Sequence, residues 1–201
     1  MAVVRKYKYH DTDTKFDDSL SAIGSFTDSL ENAATIHEVT GVEGISAKYY
    51  WGCFGQLLIN PVFKRREYRP SPDYVNALLN LGYAFLANEV TICLVSKNFD
   101  IEIGFLHSIL YGRNSLVLDI MEEYRAPFID AWILTLLNKS QIKADHFCVR
   151  DGDWRLTEDG FRKFCGLFHE RVPSWRESFR NQASKLKDSL LKGEDYEPYR
   201  K

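Results

Sequence analysis

The sequence lacks the cysteine patterns of disulfide-rich and zinc-binding proteins. It contains only 4 cysteines in 201 residues. No two of them form a CxxC pair, and each has apolar neighbours. This pattern favours reduced thiols in a protein core and argues against a zinc site. The four are Cys53, Cys93, Cys148 and Cys165.

The sequence also lacks an excess of charge of either sign. It has 26 basic and 28 acidic residues, so the formal net charge is -2. Net charge therefore gives no indication of nucleic-acid binding, although it leaves room for a local basic patch that contacts phosphates. Residues 161–201 carry 10 Lys or Arg against 6 Asp or Glu. We expect any anion-binding face there or in the loop at 63–69.

From its apolar segments we expect neither a signal peptide nor a membrane span. Its start, "MAVVRKYKYHDTD", contains no long apolar run. The longest apolar segment, 74–95, is interrupted by three asparagines and Glu89, which suit a lipid environment poorly. Internal repeats and low-complexity segments are absent as well. Because 45% of the residues are hydrophobic, we expect a sizeable core. Because no segment resembles a signal peptide or a membrane span, we expect a cytoplasmic protein with no membrane partner.

Hydrophobic periodicity and capping residues predict a mainly α fold with one small β-hairpin. The hairpin is indicated by an Asp-Gly pair between alternating residues in "HFCVRDGDWRL". We divide the chain into residues 1–34, a lead-in loop and linker-like helix, and residues 35–201, a helical domain. A central helix is predicted at about 73–97. A second apolar element is expected at 101–110, followed by a helix capped by Ser115.

That last helix, in "GRNSLVLDIMEEYR", carries carboxylates on an otherwise apolar circumference. Asp119 and Glu122 are three residues apart, so a helix places both on one face. Glu123, four residues after Asp119, is close enough to contribute. A buried carboxylate is costly unless a partner or a metal ion compensates its charge. The question is therefore what these side chains face.

A histidine and a third carboxylate make a metal site the more specific interpretation. His107 precedes the helix by a short turn, and Glu43 lies on the apolar face of another predicted helix. Carboxylate oxygens suit Mg²⁺ or Mn²⁺, and an imidazole shifts the preference towards Mn²⁺. The alternative from spacing alone is a hydrogen-bonded core histidine and a carboxylate pair that faces water.

Five motifs occur in this order along the chain: "GVEGISAKYYW", "RPSPDYVNALLNLGYAFL", "IGFLH", "GRNSLVLDIMEEYRAPFID" and "LTEDGFRKF". Together they resemble the catalytic domain of a known family, the universal CRISPR adaptation endonuclease called Cas protein one. The resemblance covers about residues 35–201, and residues 15–34 resemble the helix that leads into that domain.

The resemblance implies a metal-dependent DNA endonuclease and integrase of CRISPR spacer acquisition. It assigns Glu43, His107 and Glu122 as catalytic metal ligands for Mn²⁺ or Mg²⁺. It assigns Asp119 to the same catalytic site, as a further ligand or as a support for the others. The alternatives are a non-catalytic DNA-binding or assembly module of the adaptation complex, and a related transposon integrase.

The resemblance also implies partners and a cellular setting. The expected partners are DNA (prespacer and CRISPR repeat), Cas protein two and a second copy of the chain, in the prokaryotic cytoplasm. Members of the family carry a β-rich domain before the helical one. We expect that domain to be missing here, which would weaken the homodimer.

A basic cluster lies in the loop before the central helix. Lys64, Arg65, Arg66 and Arg69 are expected either to contact DNA phosphates or to form an ordinary solvated loop. Arg125, at the end of the carboxylate helix, is expected to pair with Glu122 or Asp119, or to bind phosphate when a metal ion is present.

Overall fold

The computed structural model describes residues 15–60 and 63–200, and this part of the chain confirms the predicted mainly α fold with one hairpin. A π-helix continues one of the α-helices, and a 3-10 turn precedes the hairpin. In chain order the elements are α1 (Lys15–Glu31), α2 (Ile36–Gln56), α3 (Tyr74–Val95), α4 (Ser115–Tyr124), the π-helix (Arg125–Asp130), α5 (Ala131–Asn138), the 3-10 turn (Ala144–His146), β1 (Phe147–Arg150), β2 (Asp153–Leu156), α6 (Glu158–Arg171) and α7 (Pro173–Lys192).

Helix α3 is the centre of the fold. Asp73 caps its start by accepting the backbone N–H of Asn76 at 2.8 Å, and half of its residues are buried. Its length and composition alone would allow it to cross a membrane. It instead packs against α4, the π-helix, α5 and α7, and Glu89 forms a two-pronged ion pair with Arg176 of α7 at 2.8 and 2.9 Å. Its hydrophobicity is therefore that of a core helix.

The π-helix connects α4 to α5 without a break. Pro127 lies within it, and a proline cannot donate the backbone hydrogen bond that an α-helix requires there. The Arg171 guanidinium donates to the carbonyl oxygen of Phe128 at 2.9 and 3.1 Å. A Cβ added to Gly82 of α3 would lie 2.8 Å from Ile129. The π-helix is thus clamped by α6 on one side and approached closely by α3 on another.

Helices α1 and α2 form a pair beside this core. Thr35 caps α2 by accepting the N–H of Glu38 at 3.2 Å, and Phe26 of α1 lies against Tyr49 of α2 with ring centroids 5.8 Å apart. Towards its end, α2 enters the core through the buried ring of Phe54. Residues 1–14 of the predicted lead-in lie outside the described residues.

The hairpin and the helix that follows it form where the sequence predicts them. Asp151 and Gly152 have φ angles of 52° and 76°, as expected for a two-residue turn that matches strand twist. Thr157 then caps α6 by accepting the N–H of Gly160 at 3.2 Å. Both features depend on neighbouring residues alone.

Two local predictions are wrong in the region before α4. Residues 101–110 form neither a helix nor a strand but an irregular segment. Ser115 does not cap α4, because the cap position belongs to Asn114. The Ser115 hydroxyl instead donates to the carbonyl oxygen of Ser108 at 2.9 Å. The apolar residues of this segment suggested a regular element, but the segment is irregular and is held by hydrogen bonds to α4.

Candidate active site

Asp119 organises the irregular segment that precedes its own helix. One carboxylate oxygen accepts the backbone N–H groups of Phe105 at 2.6 Å and Leu106 at 3.0 Å. The other accepts the N–H of His107 at 3.0 Å. The side chain has no exposed surface. Three backbone donors thus satisfy the carboxylate and fix a segment that has no secondary structure of its own.

The His107 ring completes this arrangement. Its Nδ1 lies 2.5 Å from the Asp119 carboxylate, and since an ionised carboxylate can only accept, Nδ1 carries the proton. In the neutral ring the lone pair is then on Nε2, the arrangement in which a histidine can bind a metal ion. A Cβ on Gly104 would lie 2.7 Å from Asp119 Oδ2. The glycine in "IGFLH" therefore permits the close approach of segment and carboxylate.

Glu43 of α2 and Glu122 of α4 line one cleft of about 260 Å³. Burial raises the pKa of Glu122, and the charges of Glu43 and Asp119 raise it further. The positive charge of Arg125, and to a lesser degree His107, opposes these effects. The two glutamates are therefore close enough to repel each other, and a cation between them would relieve that repulsion.

Arg125 forms an ion pair with Glu122 in this structure. Its Nη1 lies 2.7 Å from a Glu122 carboxylate oxygen, which confirms the predicted pairing with Glu122. Within residues 15–60 and 63–200, no three His, Cys, Asp or Glu side chains lie close enough together to hold a metal ion. The types of donor nevertheless suit a divalent cation, because carboxylate oxygens and an imidazole nitrogen are groups that bind Mg²⁺ or Mn²⁺.

Glu123 does not belong to this site, contrary to the prediction that it could contribute. Its carboxylate accepts the hydroxyl of Tyr196 and the backbone N–H of Tyr199, both at 2.6 Å. Those residues belong to the segment after α7, which packs against a different side of α4 from the cleft. The rotation of α4 thus separates Glu123 from its neighbour Glu122.

Asp130, the last residue of the π-helix, is a site residue that the sequence did not reveal. It is 1% exposed and accepts the hydroxyls of Tyr50 at 2.7 Å and Tyr83 at 2.6 Å. Burial raises its pKa to about 6, against the lowering effect of the two hydroxyls and of Arg125 and Arg66. Its sequence signal was its place at the end of the motif "GRNSLVLDIMEEYRAPFID", eight residues after Glu122. Hydrophobic periodicity does not predict the π-helix that contains it.

The basic loop divides into one half-buried and three exposed cations. Arg66 donates to the side-chain oxygens of Asn76 at 3.0 Å and Asn80 at 2.5 Å, and its guanidinium lies 4.3 Å from the centre of the Tyr68 ring. Burial lowers its pKa. Arg66 therefore differs from the predicted surface cluster and holds the loop onto α3.

The remaining three cations of the loop are exposed. Arg65 pairs with Glu67 at 2.8 Å. Lys64 and Arg69 lie on the outer surface of the loop. Contact of these side chains with DNA stays a prediction.

Comparison with known proteins identifies the family. The family described as CRISPR associated protein Cas1 matches residues 1–170. A CRISPR-associated endonuclease Cas1 of Thermus thermophilus is 35% identical over 184 residues, which are 84% of this chain and 55% of the relative. The corresponding Leptospira interrogans protein is 36% identical over 163 residues, 79% of this chain and 64% of the relative. The chain therefore spans little more than half the length of these curated relatives.

Solved structures share the fold at lower identity. A CAS1 protein from Thermotoga maritima superposes with a TM-score of 0.81 at 23% identity, over 99% of this chain and 66% of that one. A casposase bound to its integration product gives a TM-score of 0.80 at 22% identity, over 98% of this chain and 60% of that one. Since the family match extends over most of the sequence and relatives exceed 30% identity, the chain belongs to the Cas1 family of CRISPR-associated proteins.

Proposed function

We propose that this chain carries the catalytic site of a metal-dependent DNA endonuclease and integrase of CRISPR spacer acquisition. One observation carries the proposal: Asp119 orients His107 beside Glu122, and Glu122 shares a cleft with Glu43. The curated relatives are named as endonucleases, which supports cleavage of a nucleic-acid backbone. Carboxylates and an imidazole are the donors that such chemistry requires.

In this proposal Glu43, Glu122 and Nε2 of His107 bind Mn²⁺ or Mg²⁺. The bound cation would polarise the scissile phosphoryl group and stabilise the charge that develops on its oxygens. Asp119 does not bind the ion. It holds the His107 ring and keeps its proton on Nδ1, because both of its oxygens already accept hydrogen bonds.

Other side chains of the chain would position the DNA. Arg125 would leave Glu122 when a cation binds there and would donate to a phosphate oxygen instead, since its guanidinium lines the same cleft. Lys64, Arg65 and Arg69 would contact phosphates further along the backbone without reading sequence. The substrates would be a prespacer and the CRISPR repeat.

The proposal extends to partners and cellular setting. A solved chain of the same fold, with a TM-score of 0.85 at 23% identity, belongs to a Cas6-RT-Cas1--Cas2 complex. We propose Cas2 and a second copy of this chain as partners in the prokaryotic cytoplasm. The aromatic and apolar side chains exposed around His107, such as Phe105 and Tyr111, are available for such contacts.

The test is cleavage of branched and duplex DNA with Mn²⁺, Mg²⁺ or EDTA. His107→Ala is compared with His169→Ala, which removes an exposed histidine from α6. We expect metal-dependent cleavage by the wild type and His169→Ala, and a loss of at least about a hundredfold in His107→Ala. Equal cleavage by both variants would refute the role of His107. Failure of the wild type to bind either metal would favour the non-catalytic DNA-binding module.

A further inference from the structure

Asp130 connects three elements at the inner end of the cleft. It terminates the π-helix, while Tyr50 belongs to α2 and Tyr83 to α3. Each tyrosine donates its hydroxyl to a different oxygen of the same carboxylate, at 2.7 and 2.6 Å. The carboxylate thus fixes two helices relative to the segment that follows Glu122.

One of these helices carries a proposed metal ligand. Glu43 precedes Tyr50 by seven residues on α2, about two helical turns, so both side chains lie on the same face. That face lines the cleft together with Glu122, Arg125 and Asp130. Helix α2 packs chiefly against α1. The Tyr50–Asp130 hydrogen bond is therefore a polar link between the Glu43 helix and the π-helix that continues the Glu122 helix.

The segment that holds Asp130 is itself well anchored. Arg171 donates to the carbonyl oxygen of Phe128, and the aromatic ring of that residue is fully buried. Gly82 allows α3 to approach Ile129 so closely that an added Cβ would lie 2.8 Å away. Asp130 can therefore act as a fixed point for Tyr50 and for the turns of α2 that lead back to Glu43.

The surrounding charges favour this role. The guanidinium carbons of Arg66 and Arg125 lie 5.3 and 5.1 Å from the centre of the Tyr83 ring. Both side chains stabilise the ionised form of Asp130 electrostatically. An ionised carboxylate accepts hydrogen bonds at both oxygens, as two hydroxyl donors require. An asparagine could accept at only one.

We propose that Asp130 is a positioning residue that, through Tyr50, sets the distance between Glu43 and Glu122 and thereby the affinity of the site for a divalent cation. The inference rests on the proposed function, because it assumes that the two glutamates share the ion. It adds a role for a carboxylate that does not itself contact the metal ion or the DNA.

The test uses Tyr50→Phe in the whole chain, with Mn²⁺ affinity measured by the EPR signal of the free ion. Tyr49→Phe is the matched control, since Tyr49 is the adjacent residue on α2 but lies against Phe26 of α1. We expect Tyr50→Phe to weaken Mn²⁺ binding roughly tenfold, as for other partners that orient metal ligands. Tyr49→Phe should leave the affinity within about twofold of the wild type.

Thermal unfolding of the same proteins separates positioning from stability. If Tyr50→Phe lowers the unfolding temperature but binds Mn²⁺ like the wild type, the inference is overturned while the proposed function stands. The same holds if Tyr49→Phe weakens binding as much as Tyr50→Phe. If the wild type does not bind Mn²⁺, the proposed function fails, and the inference fails with it.

Discussion

Replacing Asp130 by asparagine is expected to remove a specific pH dependence from the folding stability of this protein. Burial raises the pKa of Asp130 in the folded state to about 6, whereas an unperturbed aspartate has a value of 3.8. Between these values the folded protein binds a proton that the unfolded chain does not. The contribution of Asp130 to stability is therefore largest at low pH and is lost as the pH rises through about 6.

The magnitude follows from the size of this difference. A separation of about two pKa units corresponds to about 3 kcal/mol over the whole range, at about 1.4 kcal/mol per unit. About half of this free energy is gained below about pH 5, where the other carboxylates also begin to protonate. Between about pH 7 and about pH 5, protonation of Asp130 increases the free energy of unfolding by about 1 kcal/mol, and an asparagine at this position gives no such increase.

The assay is urea unfolding at both pH values for the wild type, Asp130→Asn and Asp188→Asn. Asp188 is an exposed residue of α7, so its replacement changes the net charge equally without altering a buried group. We expect the wild type to gain about 1 kcal/mol relative to Asp130→Asn on going from about pH 7 to about pH 5. Asp188→Asn should follow the wild type. A constant difference between the wild type and Asp130→Asn would refute the reasoning, and a difference of opposite sign would mean that the two hydroxyls and the guanidiniums outweigh desolvation.

Three further substitutions test other parts of the site. Arg125→Gln is expected to raise Mn²⁺ affinity several-fold, because it frees Glu122 from a competing cation, and to lower affinity for duplex DNA, because it removes a phosphate contact. EPR measures the Mn²⁺ affinity and fluorescence anisotropy measures the DNA affinity. A fall in both affinities would contradict the prediction. Gly104→Ala is expected to destabilise the fold by about 2 kcal/mol and to weaken Mn²⁺ binding, because the added Cβ would collide with the Asp119 carboxylate that orients His107. Urea unfolding measures the stability. The control is Gly166→Ala, which should be as stable as the wild type because its Cβ would meet nothing within 4 Å. Arg171→Met is expected to lower the free energy of unfolding by about 2 kcal/mol in the same assay, because the carbonyl groups of the π-helix lose their hydrogen-bond donor. An unchanged unfolding midpoint would show that this contact is dispensable.

Most of the secondary structure could be predicted from the sequence, because it depends on near neighbours. Asp73 and Thr157 each accept a backbone N–H three residues ahead, and such caps involve only local residues. The Asp-Gly turn of the hairpin is equally local. Motif resemblance then indicated Glu43, His107, Asp119 and Glu122 together, although periodicity alone left a solvent-facing carboxylate pair open.

Only the tertiary structure decided which role each of these side chains has. Asp119 and Glu123 are both acidic residues of α4, but the first accepts three backbone N–H groups while the second faces the segment after α7. Asp130 meets Tyr50 across 80 residues of sequence, a separation that no local pattern reveals. The physical reason is that a carboxylate's partners depend on helix rotation and on the approach of distant elements, which are fixed only when the core packs.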